Sequence, residues 1–80
     1  MLAFVFVRVE TDMGSRVISE ISKIEGVREI YELTGDIDII AKVEAENMDE
    51  LSKIIFNIRE IGGVQGTDTR IVLASLSVEG

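Results

Sequence analysis

The residues best suited to bind a small molecule fall into two short polar clusters. The first contains Thr34, Gly35, Asp36 and Asp38, between two segments rich in β-branched residues. Asp38 has apolar neighbours, and a carboxylate in such surroundings is costly to bury without a partner. A ligand ammonium group would be such a partner, as would a lysine or Arg70. The simpler interpretation is a structural one, in which Gly35 and Asp36 form a two-residue hairpin turn.

The second cluster is Thr67, Asp68, Thr69 and Arg70, at the start of the last predicted strand. Residues two apart project from the same face of a strand, so Thr67 and Thr69 should lie side by side. Their hydroxyl groups could hold a carboxylate beside free backbone N–H groups, although ordinary strand filling explains the pair equally well. Carboxylates in one cluster, with hydroxyls and turn amides in the other, suit a zwitterionic amino acid.

The composition argues against catalysis and against a bound metal. The chain has no cysteine and no histidine, which excludes a disulfide, a thiolate zinc site and the commonest general base. The glycine-rich segment Gly62–Gly66 lacks the Lys-Ser/Thr pair of a phosphate loop and precedes a strand instead of a helix. We therefore expect no enzymatic activity, no cofactor and no metal.

Charge and hydropathy narrow the classes of partner. The net charge is −7 with no basic run, whereas DNA binding depends on basic patches, so direct nucleic-acid binding is disfavoured. The longest apolar stretch, Leu2–Val7, is far shorter than the ~20 residues of a membrane-spanning helix, and no basic segment precedes it as in a signal peptide. We expect a soluble cytoplasmic protein without a membrane partner.

The hydrophobic pattern predicts the element order β-α-β-β-α-β. Thr11 or Asp12 can cap the first helix, Gly26 ends it, and Asn47 with Glu50 forms a capping-box-like start to the second. The elements are a strand over 2–9, apolar on both faces; a helix with its stripe at Val17, Ile18, Ile21 and Ile24; strands over 27–33 and 37–45; a helix with its stripe at Leu51, Ile54, Ile55, Ile58 and Ile61, closed by Gly62–Gly63; and a strand over about 64–76.

An internal repeat supports a symmetrical fold. A shift of 37 residues maps the first helix, its terminal Gly26 and the following Val27 onto the second helix, Gly63 and Val64. Two such β-α-β halves are typical of the ferredoxin-like arrangement, an α+β fold with a four-stranded antiparallel sheet and both helices on one face. Residues 1–80 are expected to form a single domain of this kind.

The second face of that sheet has no helix to cover it. One apolar set of the first strand must lie there, either Leu2, Phe4 and Phe6 or the alternate residues, with Ile40 and one set from the last strand, either Val72, Ala74 and Leu76 or Ile71 and Leu73. A contiguous exposed apolar patch marks an interface, and the simplest cover is a second copy packed sheet against sheet. The alternative is that this face is exposed to solvent, with the charged residues Arg8, Lys42 and Glu44 among its apolar ones.

The whole chain resembles the effector-binding domain of the Lrp/AsnC family of transcriptional regulators, also called the RAM domain. The resemblance rests on the order and spacing of several short motifs. They are Ala3-Phe4-Val5-Phe6-Val7-Arg8-Val9, Ile24-Glu25-Gly26-Val27, Tyr31-x-x-Thr34-Gly35-Asp36-Ile37-Asp38, Ile61-Gly62-Gly63-Val64 and Thr67-Asp68-Thr69. The resemblance implies a ferredoxin-like fold that dimerises through its sheets, further assembly of the dimers, and a small effector, typically an amino acid, held between neighbouring dimers.

The resemblance also implies a site. The Thr-Gly-x-x-Asp turn of the family corresponds to Thr34, Gly35, Asp36 and Asp38, its threonine-bearing strand start corresponds to Thr67 and Thr69, and Tyr31 would form a wall of the pocket. Full-length members carry an N-terminal helix-turn-helix domain. This chain starts at the first strand and resembles the stand-alone members, so we do not carry DNA binding over to it.

The leading hypothesis is therefore a stand-alone amino-acid-binding and oligomerisation module that also co-assembles with full-length regulators. Two alternatives keep the fold: a ligand-free partner of such regulators, and an amino-acid-binding domain of the ACT type. A third is a small enzyme similar to the dimeric α+β barrel monooxygenases. Those enzymes use histidine, asparagine or tryptophan in a polar cavity; this chain has no His or Trp, and its two asparagines fall on the second helix.

Overall fold

The computed structural model describes residues 1–79. The strands form one antiparallel sheet in the spatial order β2-β3-β1-β4. This is the ferredoxin-like arrangement predicted from the repeat. The elements are β1 (Leu2–Val9), α1 (Gly14–Ser22), β2 (Val27–Glu32), β3 (Ile39–Glu44), α2 (Met48–Arg59) and β4 (Val64–Ile71).

The core lies between the two helices and one face of the sheet. On β1 the residues Ala3, Val5 and Val7 are fully buried, while Phe4 and Phe6 point to the other face and are half-buried. The small and β-branched side chains of β1 thus pack under the helices. Its bulky aromatic side chains lie on the face that no helix covers, which we call the open face. The rest of the core is Val17 and Ile21 of α1, Ile39, Ala41 and Val43 of β3, Ala45, and Leu51, Ile54 and Ile58 of α2.

The two halves of the repeat use glycine in the same way. Gly26 and Gly63, each just beyond a helix, have φ of 100° and 104°, a backbone conformation that disfavours side chains. A Cβ at Gly26 would lie 2.7 Å from Cδ1 of Ile54 and 2.9 Å from the carbonyl oxygen of Glu44. Glycine is required there both by backbone conformation and by close packing against the second half.

The start of α2 is capped as predicted. The backbone N–H of Glu50 donates to Oδ1 of Asn47 at 2.9 Å, and Oε2 of Glu50 accepts from the N–H of Glu46 at 2.7 Å. The prediction for α1 was wrong. Its N-cap is Met13, without a side-chain cap, because Asp12 adopts φ 68° in a tight turn one residue earlier.

Two predicted strand boundaries were also wrong. The last strand ends at Ile71 instead of Leu76, because β1 begins at Leu2, whose carbonyl accepts the N–H of Val72 at 2.9 Å, and the ladder has no further residue to pair with. The third strand begins at Ile39 instead of Ile37.

The open face of the sheet combines an apolar centre with charged margins. Register places Tyr31 beside Ile40, and Ile40 beside Phe6. Nζ of Lys42 lies 3.2 Å from a carboxylate oxygen of Glu29. The remaining open-face residues are Leu2, Phe4 and Arg8 of β1, Glu44 of β3, and Asp68 and Arg70 of β4. The apolar surface predicted for a second copy is therefore present, and it comes from the even-numbered residues of β1.

Candidate functional site

The loop between β2 and β3 is wider than the two-residue turn predicted for Gly35 and Asp36. The backbone N–H of Leu33 donates to the carbonyl of Asp38 at 2.8 Å, so the four residues 34–37 form the turn. Gly35 has φ 96°, and the side chains of Thr34 and Asp36 are exposed. The loop therefore presents a carboxylate, a hydroxyl and backbone amides to the surroundings of the molecule.

Asp38 has a partner that the sequence did not indicate. Its Oδ2 accepts a hydrogen bond from the backbone N–H of Val9 at 2.9 Å, and its own N–H donates to the carbonyl of Val7 at 3.1 Å. The strand β1 extends beyond the last residue that pairs with β3. The Asp38 carboxylate thus accepts the hydrogen bond that a backbone carbonyl would accept in a longer pair of strands. Arg70, considered above as a partner, pairs instead with Asp68 at 2.9 Å.

The threonine pair lies on one face of its strand as predicted, but that face is the helix-covered one. Thr67 stands opposite Val7 and Thr69 opposite Val5, both of which are fully buried. Thr67 lies at the same end of the sheet as Asp38. The two strands that lead to them, β4 and β3, lie on either side of β1 and are therefore about 10 Å apart. Thr69 lies two residues farther from that end.

Tyr31 lies on the open face, beside the loop. Hydrogen bonding to the Glu29 carboxylate raises the pKa of Tyr31 above its ordinary value of 10.0. The Tyr31 hydroxyl and, next, Lys42 together lower the pKa of Glu29 below 4.5. Tyr31, Glu29 and Lys42 form an exposed polar group at the margin of the apolar face.

Arg8 is a candidate site residue that the sequence reasoning missed. It stands opposite Gly66 on β4, and a Cβ at Gly66 would lie 2.6 Å from Nη2 of Arg8, so the guanidinium lies across the glycine backbone. The pairing of β1 with β3 ends at Val7 and Ile39, so Arg8 is the next residue of β1 beyond that pair. Over residues 1–79, Arg8 makes no ion pair. The signal in the sequence was a lone arginine in an apolar strand together with a glycine inside the last strand.

The seven predicted residues do not all lie on one face of the sheet. Thr34, Gly35, Asp36, Asp38 and Thr67 gather at one end of the sheet. Tyr31 faces the open side and Thr69 faces the helices.

A cleft of about 820 Å³ lies at the opposite end and includes none of the seven. It is an open groove whose walls include charges of both signs, among them Lys23, Arg28, Glu46 and Lys53. Within residues 1–79 no group of three or more acidic side chains could hold a metal ion. No helix in this part of the chain is long and apolar enough to cross a membrane.

The curated proteins that are similar to this chain include transcriptional regulators and homocitrate synthases. The HTH-type transcriptional regulator FL11 of Pyrococcus abyssi is 41% identical over 73 residues, which are 91% of this chain and 48% of that protein. Homocitrate synthase of Sulfurisphaera tokodaii is 40% identical over 75 residues, or 92% of this chain and 16% of the enzyme. The chain thus spans about half the length of the curated regulators it matches, and the resemblance to the enzyme concerns one part of it.

Solved structures share the fold closely. TTHA0845 from Thermus thermophilus superposes with a TM-score of 0.90 at 26% identity, covering 96% of this chain and 98% of the other. The transcriptional regulator NMB0573 from Neisseria meningitidis, solved as a complex with L-Met, superposes with a TM-score of 0.85 at 20% identity, covering 96% of this chain and 52% of the other. The sequence also matches the profile of the Lrp/AsnC ligand binding domain over residues 2–79. The chain therefore belongs to the Lrp/AsnC family of transcriptional regulators, as a copy of the family's ligand-binding domain.

Proposed function

We propose that this chain is an amino-acid-binding and oligomerisation module of transcriptional regulation, with the effector held between chains and no DNA binding of its own. The observation that carries the proposal is the presence of opposite charges, Asp36 and Arg8, at the same end of the sheet. The exposed loop with Asp36 lies there together with Arg8, whose guanidinium has no anionic partner within residues 1–79. An ammonium and a carboxylate on one ligand would complement this arrangement.

The proposed role of each residue in binding the ligand is based on its contacts within the chain. Asp36 makes no side-chain hydrogen bond with the described residues, so its carboxylate can bind an ammonium group. Asp38 can add its second oxygen, since Oδ2 is already bound to Val9. Arg8 and the amides near Gly35 would hold the carboxylate, and Thr67 would border the site from the helix side of the sheet. Thr69 and Tyr31 border the site from the two sides of the sheet.

A single chain cannot enclose such a ligand. Binding sites for small molecules normally bury 70–90% or more of the ligand surface, whereas the loop residues Thr34 to Asp36 are exposed. A second chain must supply the other wall. The effector would then favour one assembly state over another, to the extent that its affinity differs between the two.

Oligomers would begin with a homodimer formed through the open face of the sheet. Phe4, Phe6 and Ile40 are half-buried there and no helix covers them. FL11 matches this chain over 48% of its length, so a full-length regulator with the same module would offer a similar face for co-assembly. The net charge of −7 and the absence of a basic run disfavour direct DNA contact.

Isothermal titration with each of the twenty amino acids tests the binding proposal. We expect heat from at least one of them, and loss of that heat in Asp36→Asn and Arg8→Gln. Arg28→Gln is the matched control, since Arg28 is exposed and lies in the cleft at the opposite end. No heat and no thermal shift with any of the twenty would overturn effector binding.

A ligand-free partner of full-length regulators is the second candidate. The uncovered apolar face favours it, because that face is present whether or not an effector binds. Solution mass, measured alone and with a full-length family member, separates the two candidates. Mixed oligomers that form equally with and without amino acids would favour the ligand-free role.

A further inference from the structure

The groove at the end of the sheet opposite the loop of residues 34–37 is formed where the two halves of the repeat meet. Residues just beyond α1, the start of β2, the end of β3 and one face of α2 line it, and its volume of about 820 Å³ lies within the range of small-molecule sites. The buried side chains of Ala45 and Ile54 form an apolar floor. The walls carry charges of both signs, so electrostatic contacts would select and orient a bound molecule.

Arg28 enters the groove from an irregularity in β2. Val27 pairs with Val43 and Glu29 pairs with Lys42, so two steps along β2 match one step along β3, and Arg28 is the extra residue of a β-bulge. Bulges change the direction of a side chain and are common beside functional sites. The regular pairing of β2 is therefore interrupted at the residue that brings an exposed guanidinium to the groove.

Two cations of the groove have no partner within residues 1–79. Arg28 on β2 and Lys53 on α2 form neither an ion pair nor a side-chain hydrogen bond with the described residues. The third basic side chain, Lys23, pairs with Glu20 at 3.5 Å. Asn57, one turn after Lys53 on the same face of α2, also lines the groove. The groove therefore offers a guanidinium, an ammonium and an amide to a ligand.

The four acidic side chains of the groove limit the kind of anion that can enter. Oε2 of Glu50 accepts the N–H of Glu46 at 2.7 Å, and a carboxylate oxygen of Glu44 lies 3.6 Å from the N-terminal amine, so these two carboxylates are engaged within the chain. The carboxylates of Glu25 and Glu46 are exposed. Their negative charge would repel a long polyanion, so the groove suits a small molecule with few negative charges.

We propose that this groove is a second binding site, separate from the loop, for a small molecule with two carboxylate groups. The planar guanidinium of Arg28 would bind one carboxylate through two parallel hydrogen bonds, and the ammonium of Lys53 would bind the other. Asn57 would donate its amide N–H to the second carboxylate. The apolar floor would contact the carbon chain between the two groups.

The backbone of the groove favours carboxylates over phosphate. Phosphate sites typically use free backbone N–H groups, as at a helix start or in a glycine-rich loop. In this groove the N–H groups of residues 44–46 all donate to oxygen atoms of the chain, at distances of 2.7 to 2.9 Å. Binding must therefore depend on side-chain cations, and two separate cations suit two separate carboxylates.

NMR titration of the isotope-labelled chain with glutarate, a dicarboxylate, tests the site. We expect chemical-shift changes at the amides of residues 23–28 and 44–46, which line the groove, and none at residues 34–37. Inorganic phosphate, titrated in the same way, should bind at least about ten-fold more weakly, because it cannot reach both cations with separate charged groups.

Variants that each remove one charge identify the residues that bind. Arg28→Gln and Lys53→Gln should each weaken glutarate binding by about ten-fold, because each removes a charge-assisted contact. Glu46→Gln should strengthen it by about two-fold, because it removes a repelling carboxylate. Arg59→Gln is the matched control, since Arg59 is exposed on α2 and does not line the groove. These side chains are all exposed, so circular dichroism should show an unchanged fold.

Three results would overturn the proposal. Chemical shifts of the groove that do not change with millimolar glutarate exclude the site. An equal loss of affinity in Arg59→Gln reduces binding to general attraction by the charge of the chain. Phosphate that binds as tightly as glutarate excludes the proposed class of ligand. None of these results concerns the loop, where Arg28→Gln should retain the heat of amino-acid binding.

Discussion

At the scale of single residues, the two aspartates of the loop have separate tasks. Asp38 binds the backbone through Oδ2, whereas Asp36 is exposed and makes no side-chain hydrogen bond with the described residues. A carboxylate with a structural contact and the carboxylate that we propose binds the ligand therefore lie two positions apart. Variants at the two should affect different properties of the protein.

Asp38→Ala should lower the free energy of unfolding by about 1–2 kcal/mol, because it leaves the N–H of Val9 without an acceptor in a half-buried position. Asp36→Ala should change it by no more than about 0.5 kcal/mol, as expected for an exposed residue. Urea denaturation of the two variants measures both values. Equal effects would contradict the assignment of Asp38 as a structural residue.

Tyr31 provides a spectroscopic test of the polar group on the open face. It is the single tyrosine in a chain without tryptophan, so the ultraviolet absorbance of its phenolate reports the ionisation of one group. The pKa of Tyr31 should lie above 10.0 and move back towards that value in Glu29→Gln, because the charged acceptor is removed. A midpoint that does not change would show that Glu29 is not the cause.

The pair Tyr31 and Glu29 makes the stability of the fold depend on pH in two opposite ways. The pKa of Tyr31 is raised in the folded state, so its contribution to stability is present below pH 10.0 and is lost as the pH rises through the raised pKa. The pKa of Glu29 is lowered, so its contribution is present above pH 4.5 and is lost as the pH falls through the lowered pKa. Both groups are exposed, so solvent and salt weaken these effects.

At the scale of elements, the helix ends hold the two halves together. Each helix is followed by a glycine of positive φ, and the Gly26 backbone lies against Ile54 of α2. A helix C-terminus of the first half therefore packs directly on the helix of the second. The repeat is visible in the sequence because both halves need the same glycine for the same turn.

Gly26→Ala should destabilise the fold by about 2 kcal/mol or more, since it adds left-handed strain to a Cβ contact of 2.7 Å with Ile54. Gly62→Ala is the matched control, because Gly62 has no positive φ and a Cβ there meets nothing within 4 Å. Thermal unfolding followed by circular dichroism measures both. A Gly62→Ala variant that loses as much stability as Gly26→Ala would contradict the requirement for glycine at position 26.

At the scale of the whole molecule, the sheet has one face under the helices and one face uncovered. Open-face aromatics Phe4 and Phe6 form the middle of that surface, and Arg70 lies 6.0 Å from the Phe6 ring centre. The charged residues at the margins would set the register of a partner, while the apolar centre would supply most of the association free energy.

Phe4→Asp should convert the dimer to a monomer of 8.8 kDa, because it places a carboxylate in the centre of the proposed interface. Phe56→Asp is the matched control, since Phe56 is an aromatic residue 61% exposed on α2, on the helix side of the molecule. Light scattering measures the mass of both. A dimer lost in Phe56→Asp and kept in Phe4→Asp would move the interface to the helices.

The sequence by itself determined the features that depend on neighbouring residues. Periodicity predicted the element order, the 37-residue repeat predicted the symmetrical fold, and Asn47 with Glu50 predicted the start of α2, all confirmed by the structure. These features are local, because a helix stripe, a capping contact and a glycine turn involve residues a few positions apart. The family was also recognisable, since its motifs cover the whole chain.

Tertiary structure alone decided which face each strand residue occupies and what each polar side chain meets. β1 is apolar on both sides, so only pairing with β3 and β4 shows that Val5 is buried and Phe4 is open. The same pairing places Thr67 on the helix side, gives Asp38 a backbone partner and sets Arg8 opposite Gly66. These outcomes depend on register between segments far apart in the chain, where a shift of one residue exchanges the two faces.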